Sequence, residues 1–173
     1  MRKGILILLV LTSCTKEEIV EAKYTPKVDV YTEYQLDMLE LLNSKRVEYG
    51  ADAVVPEKTL TYLAKTHAQY MDRLKIINHD YFWARYIESQ STMFGEVCAY
   101  NYETATSEIS AFENSASHLN CMINKEYKYC GIYKEGDYLC IVFASYDPVR
   151  LNKKSKTIKV NIKTNYITSI EIN

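Results

Sequence analysis

Leu60, Leu63, Ala64, His67, Met71 and Leu74 fall at spacings of one helical face, which predicts an amphipathic helix packed on something apolar. Further on the period changes. Residues 129–133 and 138–143 are two strand-length apolar runs either side of Glu135-Gly136-Asp137, a β-hairpin pattern. A chain that commits to both within one continuous stretch is α+β, with helices laid on a sheet. The remaining elements fit that frame. Residues 31–49 read as a helix with Leu36, Leu39 and Leu42 facing inward, widened by Met38 and Leu41, and ended by Gly50. Pro56-Glu57 opens the second helix, where proline is tolerated and an acid favoured. Residues 96–100 read as a strand. Thr104 caps a helix that turns Ala105, Ile109 and Phe112 inward, and Ser115 caps a short one carrying His118, Leu119 and Met122.

The N-terminus is of a different kind. Arg2 and Lys3 precede an apolar run from Ile5 to Leu11 that is too short to span a bilayer, and Leu11-Thr12-Ser13-Cys14 closes it. This resembles a bacterial lipoprotein signal with its lipobox, so Cys14 is expected to be lipidated and to hold the protein on a membrane. Thr15-Lys16-Glu17-Glu18 resembles the export signal of surface lipoproteins, which points to the outer membrane or cell surface. The expected organisation is signal and lipobox at 1–14, a flexible tether at 15–30, one domain at 31–146 and a C-terminal extension at 147–173. In that extension Ile158, Val160 and Ile162 alternate with polar residues and 167–172 continue the pattern, a second small hairpin.

Charge excludes one class of partner. The 21 basic residues fall to 19 once Arg2 and Lys3 leave with the signal, against 22 acidic ones, so the mature chain has no basic footprint for nucleic acid. Four cysteines remain beyond Cys14: Cys98, Cys121, Cys130 and Cys140. An even number in an exported chain is compatible with two disulfides in any of three pairings. Cys130 and Cys140 flank the hairpin turn, and a bridge between them requires a three-residue loop. Free buried thiols are the alternative.

Three features converge in order along the chain: His79 after the second helix, Gly95-Glu96-Val97, and Phe112-x-x-Ser115-x-x-His118 before the closing strand, with Asn43 and Arg46 upstream. The order resembles the CAP superfamily (cysteine-rich secretory, antigen 5 and pathogenesis-related 1 proteins) over roughly residues 36–145. The resemblance implies a three-layer α-β-α sandwich with a central antiparallel sheet, here followed by the small C-terminal β extension. It also implies that His79, Glu96 and His118 gather in one cleft. Imidazole and carboxylate donors suit zinc or another divalent cation with an open coordination position, and they can also act as general acid and base. Val97 stands in place of the family's asparagine, Phe112 in place of its tryptophan, Cys121 in place of an asparagine, and Ser115 where many members carry a second glutamate. With no nucleophile motif, the expectation is a non-enzymatic domain binding a cation or small ligand. A hydrolase of peptide or cell-envelope material using Glu96 and a histidine, a lipid or sterol binder, and a purely structural, adhesin-like role through the C-terminal hairpin are the alternatives. His67, on the helical stripe, reads as a core histidine.

Overall fold

The structure is a computed structural model that describes residues 31–146, 157–161 and 166–171. Cys14, the lipobox and the tether therefore lie outside the described residues. Strands β1 (Val55–Pro56), β2 (Met93–Tyr100), β3 (Tyr129–Glu135) and β4 (Tyr138–Ser145) form one sheet in the order β1-β3-β4-β2. The three long strands are antiparallel, as expected. The two-residue β1 pairs in parallel with β3, so the sheet as a whole is mixed. That departure follows from the chain path: β1 is the lead-in to the second helix, and the Glu57 amide still reaches the Cys130 carbonyl at 2.8 Å. Pro56 sits at the sheet edge, where its missing N–H costs little.

Helices α1 (Glu33–Glu48), α4 (Ala105–Glu113) and α5 (Ala116–Met122) cover one face, and α2 (Lys58–Leu74) and α3 (Phe82–Ser89) cover the other. Strand alternation divides the core accordingly. Val97, Ala99, Ile132, Leu139, Ile141 and Phe143 pack towards α1, α4 and α5. Cys98, Tyr138, Cys140, Val142 and Ala144 pack towards Leu60, Leu63, Ala64, Ala68 and Met71 of α2. Contact between α2 and β3 is direct: a Cβ at Gly131 would run into the backbone of Leu60 and Thr61, so this position takes only glycine. Strands β5 (Thr157–Asn161) and β6 (Tyr166–Glu171) make a separate antiparallel pair, the expected C-terminal extension.

Several local expectations need adjusting. Thr32 and Gln35 form a reciprocal capping box, so α1 starts at Glu33. Its inner face is not the leucine stripe alone: Gln35, Met38, Leu42 and Arg46 are buried, whereas Leu36 is 54% exposed. The polar members are there to satisfy backbone. Gln35 Nε2 donates to the Ile132 carbonyl at 2.6 Å on the outer side of β3. Fully buried Arg46 donates to the carbonyls of Asp52, Met122, Asn124 and Tyr127, tying α1 to the α5–β3 connection. Asn43 clamps Val54 through both its amide atoms. On α2 the N-cap is Glu57, which accepts from the Leu60 amide, and the stripe ends at Met71 because Leu74 is exposed. Ser115 occupies the N-cap position of α5, but its side chain makes no capping bond.

Candidate functional site: a carboxylate held by arginine and histidine

Glu96 lies in the middle of β2, the outermost strand on its side of the sheet. Alternation turns it, with Cys98, towards α2 and α3. The preceding Gly95 faces the other way, where a Cβ would strike the Tyr127 hydroxyl and the Cys121 sulfur. The Gly-Glu pair thus has a packing reason for its glycine and a polar reason for its glutamate. The Glu96 side chain is fully buried and Arg85 of α3 grips it with two bonds: Nε to Oε2 and Nη2 to Oε1, both 2.7 Å. Arg85 Nη1 also donates to the Asp80 carbonyl, so the same side chain folds the α2–α3 connection back over the sheet. That connection carries His79, placed by a sharp turn in which Tyr81 takes φ 60°, an uncommon value for an aromatic residue.

His79 Nδ1 lies 2.8 Å from Glu96 Oε1 and 3.9 Å from the Cys98 sulfur, while half of its side chain faces solvent. Those two partners, first Cys98 and then Glu96, outweigh burial and raise the imidazole pKa to about 10. Burial pushes the Glu96 carboxyl up, but His79 and Arg85 overcome it and hold the group below the usual carboxylate value. His67, on the α2 stripe and 1% exposed, completes the cluster: its Nε2 is 2.9 Å from the Asn78 carbonyl and 3.6 Å from Glu96 Oε1. His67 Nδ1 is buried without a partner. Beneath them Cys140 of β4 stands opposite Cys98 in the register, with its sulfur 3.8 Å from Glu96 Oε2. The hydrogen bond from Cys140 lowers the Cys98 pKa against the pull of burial, and burial raises that of Cys140.

The structure therefore brings His79 and Glu96 together, and adds three residues that motif spacing did not assign to the cleft: His67, Arg85 and Cys98. Two of these were in reach of the sequence. His67 shares the buried stripe of α2, and Cys98 is two residues from Glu96 on the same strand face. His118 is carried by α5, which packs on the opposite face of the sheet, and makes no direct bond to this cluster; its ring is 5.3 Å from that of Phe112. Burial first, and then the charge of His79 across the sheet edge, lowers its pKa. Glu113 pairs with Lys45 rather than with this cluster.

All four described cysteines are free. Of the two readings left open by the sequence, the register excludes a bridge across the hairpin turn: Cys130 partners Phe143, three positions past Cys140, so the two thiols project to opposite faces. Cys121 points at the Glu96 backbone carbonyl from the α5 side.

A donor set for a cation is present in a form the motif did not anticipate. His67, Glu96 and Cys98 are all buried, and each offers a ligand atom within 4.8 Å of the others. Nitrogen, oxygen and thiolate sulfur at this spacing suit zinc, and an unpartnered buried imidazole nitrogen is a donor without an occupation.

A three-layer α+β sandwich with a histidine–glutamate cluster beside an edge strand defines the class of fold to which the chain belongs. Within that class this chain belongs to the CAP, or cysteine-rich secretory protein, family, whose sequence model matches residues 39–141. Solved structures share the fold. An extracellular protein containing a SCP domain from Bacillus anthracis is similar with a TM-score of 0.60 at 15% identity, over 64% of this chain and 39% of that one. A cysteine-rich secretory protein from Staphylococcus aureus gives 0.58 at 16% identity, over 64% and 37%. An outer surface protein from Borrelia burgdorferi gives 0.61 at 20% identity, over 67% and 97%. The matched part spans well under half the length of the first two. No curated protein matches the chain by sequence.

Proposed function

We propose that the chain is an exported, lipid-anchored binding domain that is not an enzyme and that holds a thiophilic divalent cation of the zinc class at His67, Glu96 and Cys98. The observation that carries this reading is the buried set of three donors within 4.8 Å of one another. Zinc would supply a Lewis-acidic coordination position there, which His79 at the mouth or a small ligand can fill. Export is supported by the signal-like start and by the extracellular and outer-surface descriptions of the similar structures. The membrane partner is reached through Cys14. No described helix is long and apolar enough to cross a membrane.

Arg85 argues against the hydrolase alternative. A general base must reach a substrate proton, and the Glu96 side chain is fully buried behind Arg85, which donates to both its oxygens. With its carboxyl held below the usual range, Glu96 is a poor proton acceptor at neutral pH. Calorimetric titration of the full chain with zinc under reducing conditions tests the proposal. Binding should weaken at least tenfold in His67→Ala and in Cys98→Ser, since loss of even outer-shell support typically costs about 10–100-fold in metal affinity. No zinc binding, or binding unchanged in both variants, would refute it.

A further inference from the structure

Cys98 and Cys140 are directly opposed residues of the antiparallel pair β2–β4. Both pack on the α2 face of the sheet, in the same cluster as Ala64, Ala68 and Met71. Directly opposed residues in antiparallel strands have Cα atoms about 4.5–5.5 Å apart, inside the roughly 4.4–6.8 Å range that disulfides span. Neither of the other described cysteines can substitute. Cys130 is buried on the α1 face, and Cys121 approaches β2 from α5. Both thiols are buried, but polar groups adjoin them: Cys98 is 3.9 Å from His79, half of whose side chain is exposed, and Cys140 is 3.8 Å from Glu96.

We propose that Cys98 and Cys140 form an oxidisable dithiol, converted by a small hydroperoxide entering beside His79 into a cross-strand disulfide. In the first step the Cys98 sulfur attacks the peroxide O–O bond. The thiol and hydroperoxide become a sulfenic acid and an alcohol, or water when the oxidant is hydrogen peroxide. In the second step the Cys140 thiol attacks the sulfenic sulfur, the S–S bond forms and water leaves. Two thiols lose two electrons and two hydrogens in all, and the peroxide takes them up. His79, half exposed and 3.9 Å from the Cys98 sulfur, marks the side from which the oxidant enters. The bridge itself requires no metal. Its consequence for the cation rests on the reading above: Cys98 cannot ligate a cation and be half of a disulfide, so oxidation would empty the site.

The test is a peptide map of the full chain, reduced and then treated with hydrogen peroxide in the presence of a chelator, with free thiols alkylated before digestion. The expected result is loss of alkylation at Cys98 and Cys140 together and appearance of a peptide linking them, with Cys121 and Cys130 still alkylated. In Cys140→Ser the sulfenic acid on Cys98 should persist and be trapped by dimedone. Full alkylation of both cysteines after peroxide, or a bridge to Cys121 or Cys130, overturns the proposal, and the wild-type map decides this even if a variant fails to fold. A parallel sample preloaded with zinc separates the two readings. Slower bridging with zinc supports a shared Cys98, whereas an unchanged rate refutes the metal assignment and leaves the dithiol standing.

Discussion

Replacing Arg85 with alanine removes the partner that makes a buried carboxylate tolerable. The Glu96 side chain has no solvent exposure and that of Arg85 has 7%, so water screens neither. The substitution deletes both 2.7 Å bonds to Glu96 and the bond to the Asp80 carbonyl. His79, half exposed and shared with Cys98, then remains the nearest partner of the carboxylate, with His67 at 3.6 Å and the Cys140 thiol at 3.8 Å as longer contacts. Breaking a buried ion pair from one side costs about 3–5 kcal/mol. For a chain of this size that is a fall in Tm of roughly 6–20 °C, at about 2–4 °C per kcal/mol. The loss should depend on pH with a definite sign. In the wild type the Glu96 pKa is depressed, so its contribution is present above the unfolded carboxylate value and fades as pH falls through the folded one. In Arg85→Ala burial dominates and the folded pKa rises above the unfolded one. The carboxylate then costs stability at neutrality, and the cost is relieved on acidification. The gap between the two proteins should therefore narrow from pH 7 to pH 4. Urea denaturation of the full chain at both pH values measures it. A neutral-pH loss below about 1 kcal/mol, the level of an exposed pair, or a gap independent of pH would refute the reasoning.

Three other perturbations follow from the same geometry. Arg46→Ala should destabilise by at least about 3 kcal/mol, because four carbonyls, two of them buried, lose their donor at once. Arg46→Lys should not restore it, since an ammonium cannot reach four carbonyls with the geometry of a guanidinium, and chemical denaturation of both variants checks this. Gly131→Ala should cost more than about 3 kcal/mol or prevent folding, because the added methyl displaces the α2 backbone, whereas Ala→Gly changes on exposed helix positions stay near 1 kcal/mol. Imidazole NMR of the metal-free chain should find His79 protonated well above neutrality, with its midpoint near 10, while His118 titrates below its ordinary 6.5. The stabilisation from His79 is then fully present below about pH 6.5 and is lost as pH rises through about 10, damped by its solvent exposure. A His79 midpoint near 6.5 would contradict the Cys98–Glu96 pairing.

The parts of the fold legible in the sequence are those where hydrophobic period and burial agree. Leu60, Leu63, Ala64 and Met71 announce α2, and the runs either side of Gly136-Asp137 announce β3 and β4. The inner face of α1 was harder, because two of its buried side chains are Gln35 and Arg46 and the pattern follows apolar residues only. Helix α3 has eight residues, opens on Phe82 and Trp83 without a side-chain cap, and gives no stripe long enough to read. Its arginine, the main partner of Glu96, stayed hidden with it. The resemblance, rather than spacing, implied that His79 and Glu96 lie near one another, as they do at 2.8 Å, and it could not say on which side of the sheet His118 falls, since that depends on how α5 crosses β2. The Cys98–Cys140 relation is a matter of register, which a hairpin turn fixes for β3–β4 but not for the non-sequential pair β2–β4.

Cobalt(II) titration of the reduced full chain tests the cation site most directly, because cobalt takes zinc-type donors and reports sulfur ligation in its absorption. The account predicts a saturable thiolate-to-cobalt charge-transfer band in the wild type and in His118→Ala, abolished in Cys98→Ser and reversed by added zinc. Cobalt binding without that band, or a band that survives in Cys98→Ser and disappears in His118→Ala, would contradict it.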